Sequence, residues 1–100
     1  MVLYCDGASW TGAAGPVSHK GKTLHFRGKA NLDALLATLL RAEGLDKAEE
    51  VVINGGSAGG LAVYLHADYI AAKLPAAAKV AALPDAGFFM DNELRGHRAG

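Results

Sequence analysis

The 100-residue chain has one cysteine, Cys5, so no disulfide forms within it and no metal site of paired cysteines can be built. Nor is there an excess of charge. Ten basic and ten acidic residues cancel, which removes any bulk electrostatic reason to bind nucleic acid or an anionic membrane. No apolar run reaches the roughly 18 residues of a membrane span. The first residues, MVLYCDGASW, lack the basic segment and the long apolar stretch of a secretory signal. No two of the four histidines have the spacing of ligands on one helix face, so no metal and no other cofactor is expected.

What is present is 51% hydrophobic residues in the length of one ordinary domain, enough for a modest core. VLYC at 2 to 5 is a short apolar run ended by Asp6-Gly7 and reads as a buried strand entering a loop. DGASWTGAAGPVSHKG is loop chemistry, and KTLHFRG at 22 to 28 alternates as a short edge strand or extended arm does. Asn31 is a good N-cap for a helix over 32 to 43. Leu32, Leu35, Leu36, Leu39 and Leu40 form its apolar stripe, and Gly44 stops it.

VVI at 51 to 53 is apolar on consecutive residues, as in a parallel strand covered on both faces. A second helix follows from Ala58 to Leu74, with Leu61, Tyr64, Leu65 and Ile70 assigned to one side and Pro75 closing it. A third strand is expected at 79 to 83, breaking at Pro84. The alternation of strands near 2 to 5, 51 to 54 and 79 to 83 with two helices predicts an α/β fold with a parallel sheet flanked by helices.

The stretch NGGSAGG at 54 to 60 lies between the second strand and the second helix. Gly55, Ser57 and Gly59, with Gly56 and Ala58 between them, match G-x-S-x-G. This is the turn that lifts a serine hydroxyl above the sheet edge for nucleophilic attack. Glycines there let backbone pass close to backbone. Ser57 is the candidate nucleophile. Ala58, at the helix N-terminus, offers a free backbone N–H and the positive end of the dipole to a developing oxyanion. A phosphate-cradling loop fails because no lysine follows Gly60 until Lys73, and a dinucleotide fingerprint needs glycine where Ser57 stands. The remaining alternative is a tight turn whose serine only caps the helix.

With these residues in view, four blocks in order, LYCDGASWTG, LHFRGK, GGSAGGLAVYLHADYI and DAGFFMDN, resemble the plant-type pectin acetylesterases and their animal relatives of the Notum type. The blocks span about residues 2 to 92. The resemblance implies an α/β-hydrolase fold, Ser57 as nucleophile and Ala58 as an oxyanion-hole residue. The implied substrate is an acetylated polysaccharide, pectin, met outside the cell or in the cell wall. A Notum-like lipid ester is the alternative substrate, and an inactive truncated product the alternative of another class. Asp85 and Asp91 match the acidic residues of the family's DAGFF block, without being its triad acid. Where plant members carry cysteines, this chain has Gly56 and Ala67, so any pair formed there is lost as a whole.

The order of a hydrolase triad places the acid and the histidine beyond the strand at 79 to 83, so residues 1 to 100 are expected to form a partial domain carrying the nucleophile. The local candidates are Asp85 or Asp91 as acid and His97 as base. His66 is expected to pack or face solvent, His19 and His25 to lie in loop or arm segments, and Trp10 to stack on a sugar or fill the edge of the core.

Overall fold

A computed structural model describes residues 1–4 and 6–90. In chain order the elements are β1 (Val17–His19), β2 (Lys22–Leu24), α1 (Gly28–Ala42), a 3-10 turn (Leu45–Lys47), β3 (Glu50–Gly56), α2 (Ala58–Lys73) and β4 (Lys79–Asp85). β3 and β4 run parallel from Glu50↔Lys79 to Gly56↔Asp85, and α2 is the crossover that packs on both. The class is α/β, as the alternation of periodicities requires.

The strand expected at 2 to 5 is absent over its described residues. Val2, Leu3 and Tyr4 form no ladder and are exposed, and Cys5 lies outside the described residues. An apolar segment becomes a strand only where a neighbouring backbone lies in hydrogen-bond register. Here Met1, Val2 and Tyr4 line a cleft in front of β3 without joining it. The parallel sheet is therefore the pair β3 and β4 alone among the described residues.

A hairpin occupies part of what reads as loop. β1 pairs antiparallel with β2 across the two-residue turn Lys20-Gly21. Positive φ at both turn residues, 49° and 74°, matches the right-handed twist of the strands. Lysine at a left-handed position is an uncommon turn signal, which hides the hairpin in the sequence.

α1 begins at Gly28, a turn earlier than Asn31, because Asn31 N–H already donates to Arg27 O at 3.0 Å. Gly28 is buried against Asp6, where a Cβ would meet the carboxyl group at 2.5 Å. The helix ends before Gly44 in the left-handed region, φ 78°. β4 continues through Pro84 to Asp85. Proline lacks an N–H, but an edge strand needs none on its outer side.

α2 buries Gly60, Val63 and His66 rather than the side assigned to it, and Tyr64 and Leu65 are 62% and 55% exposed. This helix is apolar around most of its circumference, so the sequence alone does not phase it. The buried apolar side chains among the described residues are Leu36, Val63 and Leu74. Between the α1 leucines and β3 lies a cleft of about 730 Å³.

A polar clamp ties α1 to α2. The Tyr69 hydroxyl donates to Asp33, and Lys29 reaches the same carboxylate at 3.3 Å with its Nζ 3.4 Å from the Tyr69 ring centroid. Lys73 also faces that ring, at 4.8 Å. The hydrogen bond from Tyr69, followed by Lys29, holds the Asp33 carboxyl below its ordinary value against the opposing effect of burial. The Tyr69 and Asp33 side chains raise Lys29 above its own, also against burial.

Candidate active site

β3 ends in Gly55-Gly56 and α2 begins at Ala58, which leaves Ser57 alone to make the turn. It does so at φ 53°, ψ −114°, a conformation that glycine adopts readily and a residue with a Cβ rarely. Two backbone bonds fix it there: Ser57 N–H donates to Asp85 O at 3.0 Å, and Ser57 O accepts from Leu61 N–H at 3.0 Å.

Close backbone packing explains two glycines around the serine. A Cβ on Gly55 would collide with the Gly59 carbonyl, and one on Gly60 would lie 2.8 Å from Asp85 O and 3.2 Å from Gly55 O. Gly56 and Gly59 have no such neighbours within 4 Å. Gly60, outside the five-residue motif, is thus the position that lets α2 start against the end of β4. Ala86, φ 48°, and the buried Gly87, packed toward Tyr64, complete that end.

Ser57 is exposed, and its hydroxyl makes no capping bond to the first turn of α2 although it stands at the N-cap. Ala58 N–H is the first of the helix donors without an intrahelical acceptor. A serine hydroxyl and an N–H at the positive end of a 16-residue helix therefore share one exposed corner. Such a pair suits addition to a carbonyl, with the hydroxyl as nucleophile and the N–H toward the resulting oxyanion.

Asp85 is exposed, lines the cleft and holds Ser57 through its carbonyl. Asp91 and His97 lie outside the described residues. His66 is buried and its Nε2 donates to Trp10 O at 2.9 Å, so that nitrogen is committed to structure. His19 is exposed on β1 and His25 just past β2, and neither lines the cleft. Among the described residues no histidine is hydrogen-bonded to Ser57. Among the same residues no three His, Cys, Asp or Glu are grouped to hold a metal ion.

Trp10 is half-buried, packs on the exposed Tyr4 with ring centroids 6.1 Å apart, and lines the cleft in front of β3. It sits in a loop organised by Asp6, whose carboxylate accepts from Ala8 N–H at 3.0 Å and Trp10 N–H at 2.9 Å. Ser9 and Trp10 both have positive φ, 53° and 60°. Asp followed by Gly is the residue type that bonds its own backbone in this way, the local signal that marks Asp6.

The pectinacetylesterase family model matches residues 1–97. Pectin acetylesterase 5 of Arabidopsis thaliana is 38% identical over 90% of this chain and 21% of its own length. Pectin acetylesterase 11 of the same plant is 42% identical over 89% of this chain and 22% of its own. The human palmitoleoyl-protein carboxylesterase NOTUM is 34% identical over 97% of this chain and 20% of its own. The chain thus spans about a fifth of the length of the curated relatives it matches. No solved structure gives a significant match. The strained serine between a parallel strand and its crossover helix, the four sequence blocks and the match over nearly every residue agree: this chain belongs to the pectinacetylesterase family.

Proposed function

We propose that the chain is the nucleophile-bearing segment of a serine carboxylesterase acting on acetyl esters of pectin. The observation that carries the reading is Ser57 itself. A residue with a Cβ is held in a conformation suited to glycine, with its hydroxyl left out of the helix cap it could have made. A capping serine would show the opposite on both counts. The names of the plant relatives supply the substrate class.

In the proposed reaction Ser57 Oγ adds to the acetyl carbonyl as its proton passes to a base, and the oxyanion is met by Ala58 N–H. The C–O bond to the sugar then breaks and the sugar oxygen takes the proton, which leaves an acetyl ester on Ser57. Water adds to that ester, and acetate leaves as the serine regains its proton. The base is a histidine and its partner an acid, both contributed by chain beyond the described residues. Pectin places the reaction outside the cell or in the wall.

A lipid ester is the second reading. It is supported by the likeness to NOTUM and by Phe88, Phe89 and Met90, exposed directly after the turn that holds Ser57. The test uses an enzyme carrying this segment within a complete fold. Acetate release from acetylated pectin is expected to vanish in Ser57→Ala while the protein stays folded, and activity on aryl esters to fall as the acyl chain lengthens from acetate to octanoate. Release that survives in folded Ser57→Ala overturns the nucleophile. A preference for octanoate moves the substrate to the lipid class.

A further inference from the structure

The formal charge of the chain is zero, but its distribution is uneven. From Gly7 to Leu32 there is no aspartate or glutamate, and the same stretch holds Lys20, Lys22, Arg27 and Lys29 with His19 and His25. The fold turns this run into a closed arm. Ala14 N–H donates to Phe26 O at 3.0 Å and Lys29 N–H to Gly12 O at 3.0 Å, so both legs leave the body together. Beyond that base β1 and β2 pair with each other, all six of their residues are exposed, and the hairpin packs substantially on no other strand or helix.

Opposed residues of an antiparallel pair share a face, and alternate residues switch faces. The register therefore gathers Val17, His19, Lys22 and Leu24 on one face, with Lys20 at the turn. Its outer end is cationic and its inner end aliphatic, and exposed His25 and Arg27 continue down the second leg. Among the described residues, the ion pair formed by this basic run is Lys29 with Asp33, at the foot of the arm. Like charges gathered on one small exposed hairpin repel one another, a cost that a polyanion relieves.

We propose that the hairpin Val17–Leu24 is a docking arm for an acidic polysaccharide, the uronate backbone of the proposed substrate. Lys20 and Lys22 meet carboxylates spaced along the polymer, and sugar C–H faces lie on Val17 and Leu24. The choice of a uronate chain rests on the esterase reading above. The paired residues of the hairpin face include no Phe, Tyr or Trp, exposed Phe26 being the one such ring of the second leg, fewer than a stacking platform for successive bases needs, and its two aliphatic residues are too few to anchor a bilayer.

The probe is polygalacturonate without acetyl groups. The full chain, a Lys20→Glu/Lys22→Glu arm variant and a Lys47→Glu/Lys79→Glu variant with the same net charge change elsewhere are compared by affinity electrophoresis. The parent and the second variant are expected to be retarded, and the arm variant to bind about tenfold more weakly. Retardation is expected to disappear near about 0.5 M salt and to be absent with neutral galactan. Lys20→Gln/Lys22→Gln, checked for unchanged circular dichroism, repeats the comparison without reversing charge. Equal weakening in both glutamate variants, equal binding of neutral galactan, or tighter binding of single-stranded DNA or phosphatidylserine vesicles overturns the arm. Ser57→Ala is expected to bind polygalacturonate as the parent does. Binding that does not depend on the arm, beside Ser57-dependent acetate release by an enzyme carrying this segment within a complete fold, refutes the arm alone. Arm-dependent binding, beside acetate release that survives Ser57→Ala in a folded enzyme carrying this segment within a complete fold, refutes the esterase reading alone.

Discussion

Ser57 holds a backbone conformation that costs a residue with a Cβ about 1–3 kcal/mol, and nothing in the packing of its side chain returns that cost. Ser57→Gly is therefore expected to stabilise the chain by about 1 kcal/mol, a rise in Tm of several degrees for a domain of this size, while Ser57→Ala is close to neutral. Thermal unfolding of the two variants beside the parent checks this. A glycine variant no more stable than the alanine variant would show that the turn carries no strain. Gly60→Ala is expected to act the other way, by about 1–3 kcal/mol, because its methyl group would press on Asp85 O at 2.8 Å. Gly56 stands in open space, where an added Cβ would meet nothing within 4 Å.

At the level of elements, α1 is held to α2 by the Asp33, Tyr69 and Lys29 clamp. The folded state lowers the Asp33 carboxyl from its ordinary 3.8, so its contribution is present above that value and is lost as pH falls through the lowered one. Lys29 is raised from 10.5, so its contribution is complete below 10.5 and is lost only as pH rises through the raised value. Tm measured between about pH 2 and 7 is expected to fall more steeply for the parent than for Asp33→Asn, with Tyr69→Phe intermediate. Parallel curves would mean that the clamp contributes nothing in solution, as exposed ion pairs often do not.

Over the whole molecule, the described residues bury Leu36, Val63 and Leu74 as their apolar core and leave Val2, Leu3, Leu83, Phe88 and Phe89 exposed. The radius of gyration is 16.5 Å, against about 13 Å for a compact domain of this length. A two-stranded sheet with unpaired edges and an open apolar cleft invites association. The 100-residue chain expressed alone is expected to self-associate, as light scattering after gel filtration would show. It is also expected to turn over an activated acetyl ester no faster than its Ser57→Ala variant, because a serine without a base is a poor nucleophile. A monodisperse chain with robust Ser57-dependent turnover would mean that a compact triad assembles within these residues.

Local patterning in the chain specifies the α/β class, the helix of leucines, the strand at 51 to 53 with the helix after it, and the position of Ser57 between them. These rest on local periodicity, on chain breakers such as Gly44 and Pro75, and on a turn that needs glycine, all of which act over a few residues. The remaining features depend on partners distant in the chain. Whether Val2 to Tyr4 pair as a strand depends on whether a neighbouring edge lies in register, and Pro84 is tolerated because β4 lies at an edge. Which face of an apolar α2 turns inward was set by the backbones of β3 and β4, and this also made Gly60 rather than Gly59 the tight contact. The basic arm was written in the residues all along, but only pairing β1 with β2 brings Lys22 opposite His19 and gathers scattered charges on one face.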